Sequence, residues 1–145
     1  MTRKVFEVVV PWWTLVAEGK IPDDVPAVSE VDQEFARIFA GTKKIAISNT
    51  MSPSPDLRIL SGDIAAQLQS LKEEPGSDII LGVGPATLAP LLAVPGLINE
   101  FLLVIHPAAI SSGPRLFDDA DLKLRLIKAT PFDGGAIVVR YALLP

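Results

Sequence analysis

The stretch Asp78–Ala89 constrains the fold of this chain more than any other segment. It runs apolar through Ile79, Ile80 and Leu81, turns through Gly82-Val83-Gly84-Pro85, and continues as Ala86-Thr87-Leu88-Ala89. A short apolar run without polar alternation reads as a strand covered on both faces, the usual state of strands in parallel sheets. Parallel strands need crossover connections, most often helices. The residues after the turn, Thr87–Ala93, read as a short helix with Pro90 in its first turn, where no backbone donor is needed. Strand, glycine turn and helix together predict an α/β architecture.

The remainder of the chain repeats this alternation. Val5–Val10 is β-branched and nearly continuous, which reads as a strand ended by Pro11-Trp12-Trp13. Lys20–Val28 carries two prolines and two aspartates and reads as a loop. Ser29 with Asp32 three residues on forms a variant capping box. Val31, Phe35 and Ile38 then follow at helical spacing until Gly41. Lys44–Ser48 reads as a short buried strand and Asn49–Asp56 as a polar loop. Asp63 stands at the start of a helix with Ile64, Leu68 and Leu71 on one face, ended by Pro75-Gly76. Phe101–Ile105 reads as another buried strand, Ser111–Phe117 as a loop, and Lys123–Thr130 as a strand. Asp133-Gly134-Gly135 joins that strand to Ala136–Ala142 as a hairpin. The fold class expected is therefore α/β: a mixed, mostly parallel sheet flanked by helices, with a C-terminal antiparallel hairpin.

Composition narrows the function classes. At 145 residues, with no internal repeat or composition shift, the chain reads as one domain over 1–145. It has no cysteine, which removes thiolate nucleophiles, disulfides and cysteine-based metal centres. Thirteen basic against 17 acidic residues leave a net charge of −4, without the electrostatic footprint of a nucleic-acid binder. Mean hydropathy is +0.39, yet no apolar run approaches the roughly 18 residues of a membrane span. The N-terminus has neither the apolar core nor the cleavage pattern of a signal peptide, so a cytoplasmic location is expected. The apolarity is assigned to a buried sheet and a subunit interface.

The chemistry-bearing candidates are few. Glycines after a buried strand let a ligand approach the backbone, and the following helix aims its free N–H groups and positive end at an anion. Thr87 adds a hydroxyl. A plain strand-to-helix turn that needs glycine for its dihedrals is the competing reading, because a full G-x-G-x-x-G is absent. His106, the only histidine, is either a titrating group or a structural residue before Pro107. Asp118, Asp119 and Asp121 form a cation site or a solvated loop. Trp12 and Trp13 stack on a ring or pack in the interior. Ser111-Ser112-Gly113 lacks the strand-to-helix setting of a nucleophile elbow. Arg115 faces a cleft or pairs with an acid.

Several segments, taken in order, resemble the dihydrofolate-reductase-like superfamily and in particular the RibD C-terminal domain of riboflavin biosynthesis. The relatives' glycine turn and helix correspond to Gly82–Gly84 and the helix after it. Gly96-Leu97-Ile98-Asn99-Glu100 is similar to a Gly-Leu-Val/Ile-Asp-Glu segment. Val104-Ile105-His106-Pro107 is similar to a strand ending in Ile-His-Pro, and Gly113-Pro114-Arg115-Leu116-Phe117 to Gly-x-x-Leu-Phe. Thr130–Tyr141 resembles the closing hairpin, Lys44–Thr50 the strand ending in Ser-Asn-Thr, and Arg3–Val10 the segment Gly-Arg-x-Thr-Tyr-Glu.

The resemblance implies NADPH binding and hydride transfer to a small substrate, pterin or pyrimidine-like. It places the cofactor pyrophosphate on Gly82, Val83, Gly84, Pro85, Ala86, Thr87 and Leu88. It places Ser48, Asn49 and Thr50 near the adenosine ribose and its 2′-phosphate, and Arg3 against the phosphates, where its fork matches phosphate oxygens. It also implies a homodimer. Three departures stand against it. Thr2 and Val5 replace the Gly and Thr around the arginine. The glycine turn is one residue longer. The relatives' opening strand and Ser-Leu-Asp-Gly-like turn, which line the substrate pocket, have no counterpart. The family register calls for a helix at Lys4–Val10 where propensity calls for a strand, and a second register would make Met1–Val10 the opening strand. A catalytically silent nucleotide-binding or dimerising module is the rival reading to the reductase.

Overall fold

Although β-branched residues dominate Val5–Val10, the computed structural model folds Arg3–Ala17 as one helix, α1. The structure describes residues 1–25, 27–55, 57–117 and 120–145. The expected strand at Val5–Val10 is thus corrected to helix, as the family register calls for, and the second register falls with it. Burial gives the reason. Val5, Phe6, Val9, Val10, Trp12, Trp13, Val16 and Ala17 are covered at least in part, while Arg3, Lys4, Glu7, Val8, Pro11, Thr14 and Leu15 are exposed. That is a 3.6-residue period, visible only when the window extends past Pro11. Pro11 does not end the element. It lies inside α1 on the exposed side, leaving the Glu7 carbonyl without its helical donor.

The described residues fall into two compact units, one of Met1–Ile64 with Ser77–Val83 and one of Ala65–Gly76 with Gly84–Pro145. In the first unit α1 packs on α2 (Glu30–Gly41). The capping box expected at Ser29 is present: Asp32 N donates to Ser29 Oγ at 3.2 Å, and Ser29 N donates back to Asp32 Oδ2 at 3.2 Å. Trp13 meets Phe35 edge-on at 4.6 Å, and Phe35 stacks on Phe39 at 5.7 Å. Lys44 closes the far end of α2, its Nζ donating to the Phe39, Ala40 and Thr42 carbonyls and lying over the Phe39 ring. Burial lowers the pKa of its amine.

The expected strand at Lys44–Ser48 is β1 (Ile45–Ile47). It pairs in parallel with β2 (Arg58–Leu60), a strand that the sequence reading did not place. Met1 and Thr2 also run parallel to β1: Met1 N donates to the Ile45 carbonyl and Ile47 N to the Met1 carbonyl. The core of this unit is Val16, Ala36, Ala46 and Leu60.

The buried strand expected at Ile79–Leu81 is not formed. The segment from Asp78 to Gly84 is neither helix nor paired strand, and Ile79 and Ile80 are 42% and 92% exposed. No described backbone group exchanges ladder hydrogen bonds with it, and an apolar run cannot be a sheet strand without a partner. Among the named strands parallel pairing is confined to β1 and β2.

In the second unit three antiparallel strands lie in the order β3 (Glu100–Ile105), β5 (Ile137–Leu143), β4 (Leu124–Pro131). The C-terminal hairpin is as expected, and its turn uses Gly135 at φ +80, where a Cβ would press on Pro107 at 3.2 Å. β3 is an edge strand covered on one face, not a fully buried one. Phe101 is buried, while Leu102 and Val104 are 69% and 53% exposed. Phe101 meets Phe117 edge-on at 5.0 Å, and Arg140 on β5 pairs with Glu100 on β3. The helix α3 (Ile64–Glu73) turns Leu68 into the core, with Ile64 and Leu71 partly covered, on the face expected. The helix α4 (Pro85–Leu92) begins two residues before the expected start. Pro85 occupies its first position, and Pro90 lies within it.

Lys72, in the last turn of α3, donates to Gly96 O at 2.7 Å, Leu97 O at 3.0 Å and Asn99 Oδ1 at 2.9 Å. One ammonium thus satisfies three oxygens of the Gly96–Asn99 segment. Lys72→Met leaves them without that donor and is expected to destabilise the second unit by about 1–2 kcal/mol. Urea unfolding followed by far-UV circular dichroism measures it, and a loss below the error of the fit would show that water replaces the ammonium at no cost.

Candidate functional site

The N-terminus of α1 is held beside β1 by the parallel bridge between Thr2 and Ile47. Arg3, the next residue, therefore lies at the carboxyl end of β1, where Ser48-Asn49-Thr50 begin. The carboxyl ends of parallel strands are the usual ligand side of α/β sheets. Arg3 Nη1 donates to Thr50 Oγ1 at 2.8 Å, and Arg3 Nε donates to Glu7 Oε1 at 2.7 Å. Arg3 and Glu7 are each 49% exposed, so the guanidinium is aimed but still wet. Glu7 was not singled out in the sequence, although its position one helical turn after Arg3 is the spacing of an ion pair.

The loop after β1 is shaped by its own side chains. Ser48 Oγ accepts from Thr50 N and Met51 N, both at 3.1 Å, and lies 3.4 Å from Thr50 Oγ1. Asn49 Oδ1 accepts from Gly62 N at 3.0 Å, tying the loop to the second residue after β2. Arg3, Ser48 and Thr50 thus form one hydrogen-bonded chain, and Arg3 and Thr50 are exposed. Met1, on the same strand edge, has its amine pKa lowered by burial.

The glycine turn does not use a glycine-only conformation at Gly84. Its φ of −83° and ψ of 170° are extended backbone that any residue adopts, and Gly82 is likewise absent from the positive-φ glycines. A Cβ at Gly84 would meet nothing within 4 Å, and one at Gly82 only the Met1 side chain at 3.8 Å. Neither backbone dihedrals nor protein neighbours require glycine here.

The start of α4 has no side-chain cap. Thr87 N and Leu88 N both donate to Gly84 O, at 3.1 and 3.0 Å, and Pro85 has no N–H. The Ala86 N–H has no partner among the described residues, and Gly82, Gly84 and Ala86 are exposed. Leu88 differs from the other implied cofactor residues, being 6% exposed in the core of the second unit. Val83, Pro85 and Thr87 are partly covered.

A dinucleotide phosphate asks for open backbone at a helix start, a fixed cation and hydroxyl donors. Taken by itself, the α4 start offers open backbone and a free N–H; taken by itself, the end of β1 offers a guanidinium and a threonine hydroxyl.

The other candidates are not gathered into a site. His106, Ser111, Ser112, Arg115 and Asp121 are exposed, and Asp118 and Asp119 lie outside the described residues. Among the described residues no three His, Asp or Glu side chains come together to hold a metal, and no helix is long and apolar enough to cross a membrane.

The sequence pattern of the RibD C-terminal domain matches residues 17–138. The chain belongs to the RibD C-terminal domain family. YyaP of Bacillus subtilis (strain 168), an uncharacterized protein, is 28% identical over 142 residues, which cover 96% of this chain and 70% of YyaP. A solved structure of a "Putative riboflavin biosynthesis protein" from Shewanella sp. PV-4 superposes with a TM-score of 0.66 at 17% identity. That match covers 100% of this chain and 72% of the other, and at such identity it speaks for the fold alone. RibD C-terminal domain membership agrees with the order of segments read from the sequence, from Lys44–Thr50 through the closing hairpin.

Proposed function

We propose that this RibD C-terminal domain protein binds NADPH and acts as a reductase on a small planar substrate, pterin or pyrimidine-like. The observation that carries the reading is the pair Gly82 and Gly84, small where no protein atom and no dihedral demands it, directly before an uncapped helix start. Glycine there keeps the backbone open to an anion, and the Ala86 N–H and the helix end favour negative charge. In this reading Gly82, Val83, Gly84, Pro85, Ala86, Thr87 and Leu88 form the pyrophosphate segment. Arg3 and Thr50 hold the 2′-phosphate of the adenosine ribose, with Ser48 and Asn49 fixing the loop that presents Thr50. Glu7 holds the guanidinium in its aimed rotamer before the phosphate arrives. When bound, the nicotinamide supplies the hydride, and the chain's residues bind and orient it.

Titration with NADPH, read by quenching of the tryptophan emission and by calorimetry, tests the binding half. Saturation below millimolar cofactor is expected, and no saturation there sinks the proposal. Loss of the reduced-nicotinamide absorbance against a panel of pterins and pyrimidine ribitol compounds tests the hydride half. Binding with no turnover anywhere in the panel replaces the reductase with the silent nucleotide-binding module.

A further inference from the structure

Within the first unit, away from Arg3 and the loop after β1, described residues of α1, α2 and the segment between them frame an open cleft of about 280 Å³. Trp12, Trp13, Val25, Ala27, Val28 and Asp32 line it. Its chemistry is unusual for packing alone. Trp13 is engaged by Phe35, but Trp12 has neither a ring partner nor a hydrogen-bond partner among the described residues, and it is only partly covered. A half-open indole therefore lines the cleft with no aromatic or cationic partner among the described residues.

The wall opposite in chemistry is Asp32. Both of its capping contacts, from Ser29 N and Ser29 Oγ, fall on Oδ2. Its Oδ1 accepts nothing from the described residues. No basic residue lines the cleft. Lys20 of the adjoining loop is paired with Glu18 at 2.9 Å, whereas Asp23, Asp24 and Glu30 add negative charge on the segments that frame it. A cleft lined mainly by apolar residues, with an indole, a carboxylate oxygen that accepts from no described residue, and acidic residues on the framing segments, is complementary to one kind of small molecule. A cation with apolar substituents gains from the ring quadrupole, and an N–H on that cation satisfies the carboxylate.

We propose that this cleft binds a small alkylated ammonium cation carrying an N–H, with Trp12 facing the alkyl groups and Asp32 Oδ1 accepting from the nitrogen. The site is separate from the residues given to the cofactor, and the proposal stands or falls without the NADPH reading.

Trimethylammonium and its neutral analogue of similar shape, tert-butanol, are the probes. The chain has two tryptophans, so a ¹H–¹⁵N spectrum shows two indole N–H signals, and Trp12→Phe assigns them. Both signals are expected to move saturably with trimethylammonium. The alcohol is expected to bind about tenfold more weakly, and Trp12→Phe and Asp32→Asn each to weaken the cation by about fivefold. Asparagine keeps a side-chain oxygen for the Ser29 N–H, so the helix cap survives. An unchanged circular dichroism spectrum of each variant confirms that the fold is intact. Three results would each overturn the proposal: indole signals that do not saturate with the cation, equal binding of tert-butanol, or undiminished binding by Asp32→Asn.

Discussion

Leu60→Ala is expected to destabilise the first unit by about 2–5 kcal/mol. Leu60 is 2% exposed and the largest side chain with essentially no surface. It ends β2, and its carbonyl accepts from Ser48 N, so it sits directly under the loop that presents Thr50. Truncation removes apolar burial and leaves a cavity that the short parallel pair cannot collapse into. Both tryptophans lie on α1 in the same unit, so their emission during urea unfolding reports this unit. Ile80→Ala is the control. At 92% exposed it is expected to change stability by less than about 0.5 kcal/mol. Equal losses from the two variants would show that Ile80 is covered in solution and that Leu60 is not the keystone of the unit.

The second large effect concerns ligand affinity. Arg3→Ala is expected to weaken NADPH by about 10- to 100-fold, the worth of charge-assisted hydrogen bonds to a phosphate. NADH, which lacks the 2′-phosphate, should lose much less. Arg3→Lys should recover only part of the difference, because an ammonium keeps the charge but not the fork. The fold should be nearly indifferent, since the Arg3–Glu7 pair is half-exposed and such pairs contribute at most about 1 kcal/mol. Isothermal calorimetry with both cofactors decides it. An equal loss for NADPH and NADH would move Arg3 from the 2′-phosphate to another part of the cofactor, and no loss for either would remove it from the site.

Much of this architecture was legible in the residues. The Ser29–Asp32 box, the Leu68 face of α3 and the Asp133–Gly135 turn each follow from chemistry confined to a few neighbouring residues, and each is present. The misses have physical causes. The β-branched and aromatic residues of Val5–Val10 are compatible with either period. Only Trp13, Val16 and Ala17 reveal that the covered positions recur every helical turn. β2 is three residues long, follows a Pro-rich loop, and has no sequence signal apart from its partner β1. Ile79–Leu81 is the opposite case, a strand-like run that pairs with no strand among the described residues. At the candidate site, motif order located Arg3 and Thr50, and the helical spacing of Glu7 was available but unused. That Ser48 and Asn49 spend their oxygens on the loop itself depends on β2 and Gly62, which no local pattern connects to them.

The order of the antiparallel sheet also bears on how the chain comes off the ribosome. β3 and β4 pair with β5 and not with each other, and β5 follows both in the chain. Until Ile137–Leu143 has emerged, neither earlier strand has its ladder partner, and Phe101 lacks the sheet it packs in. Non-local pairing of this kind is slow and exposes a nascent chain to aggregation. The sheet therefore closes only when its central strand arrives, so its two flanking strands are the segments most exposed to mispairing before then.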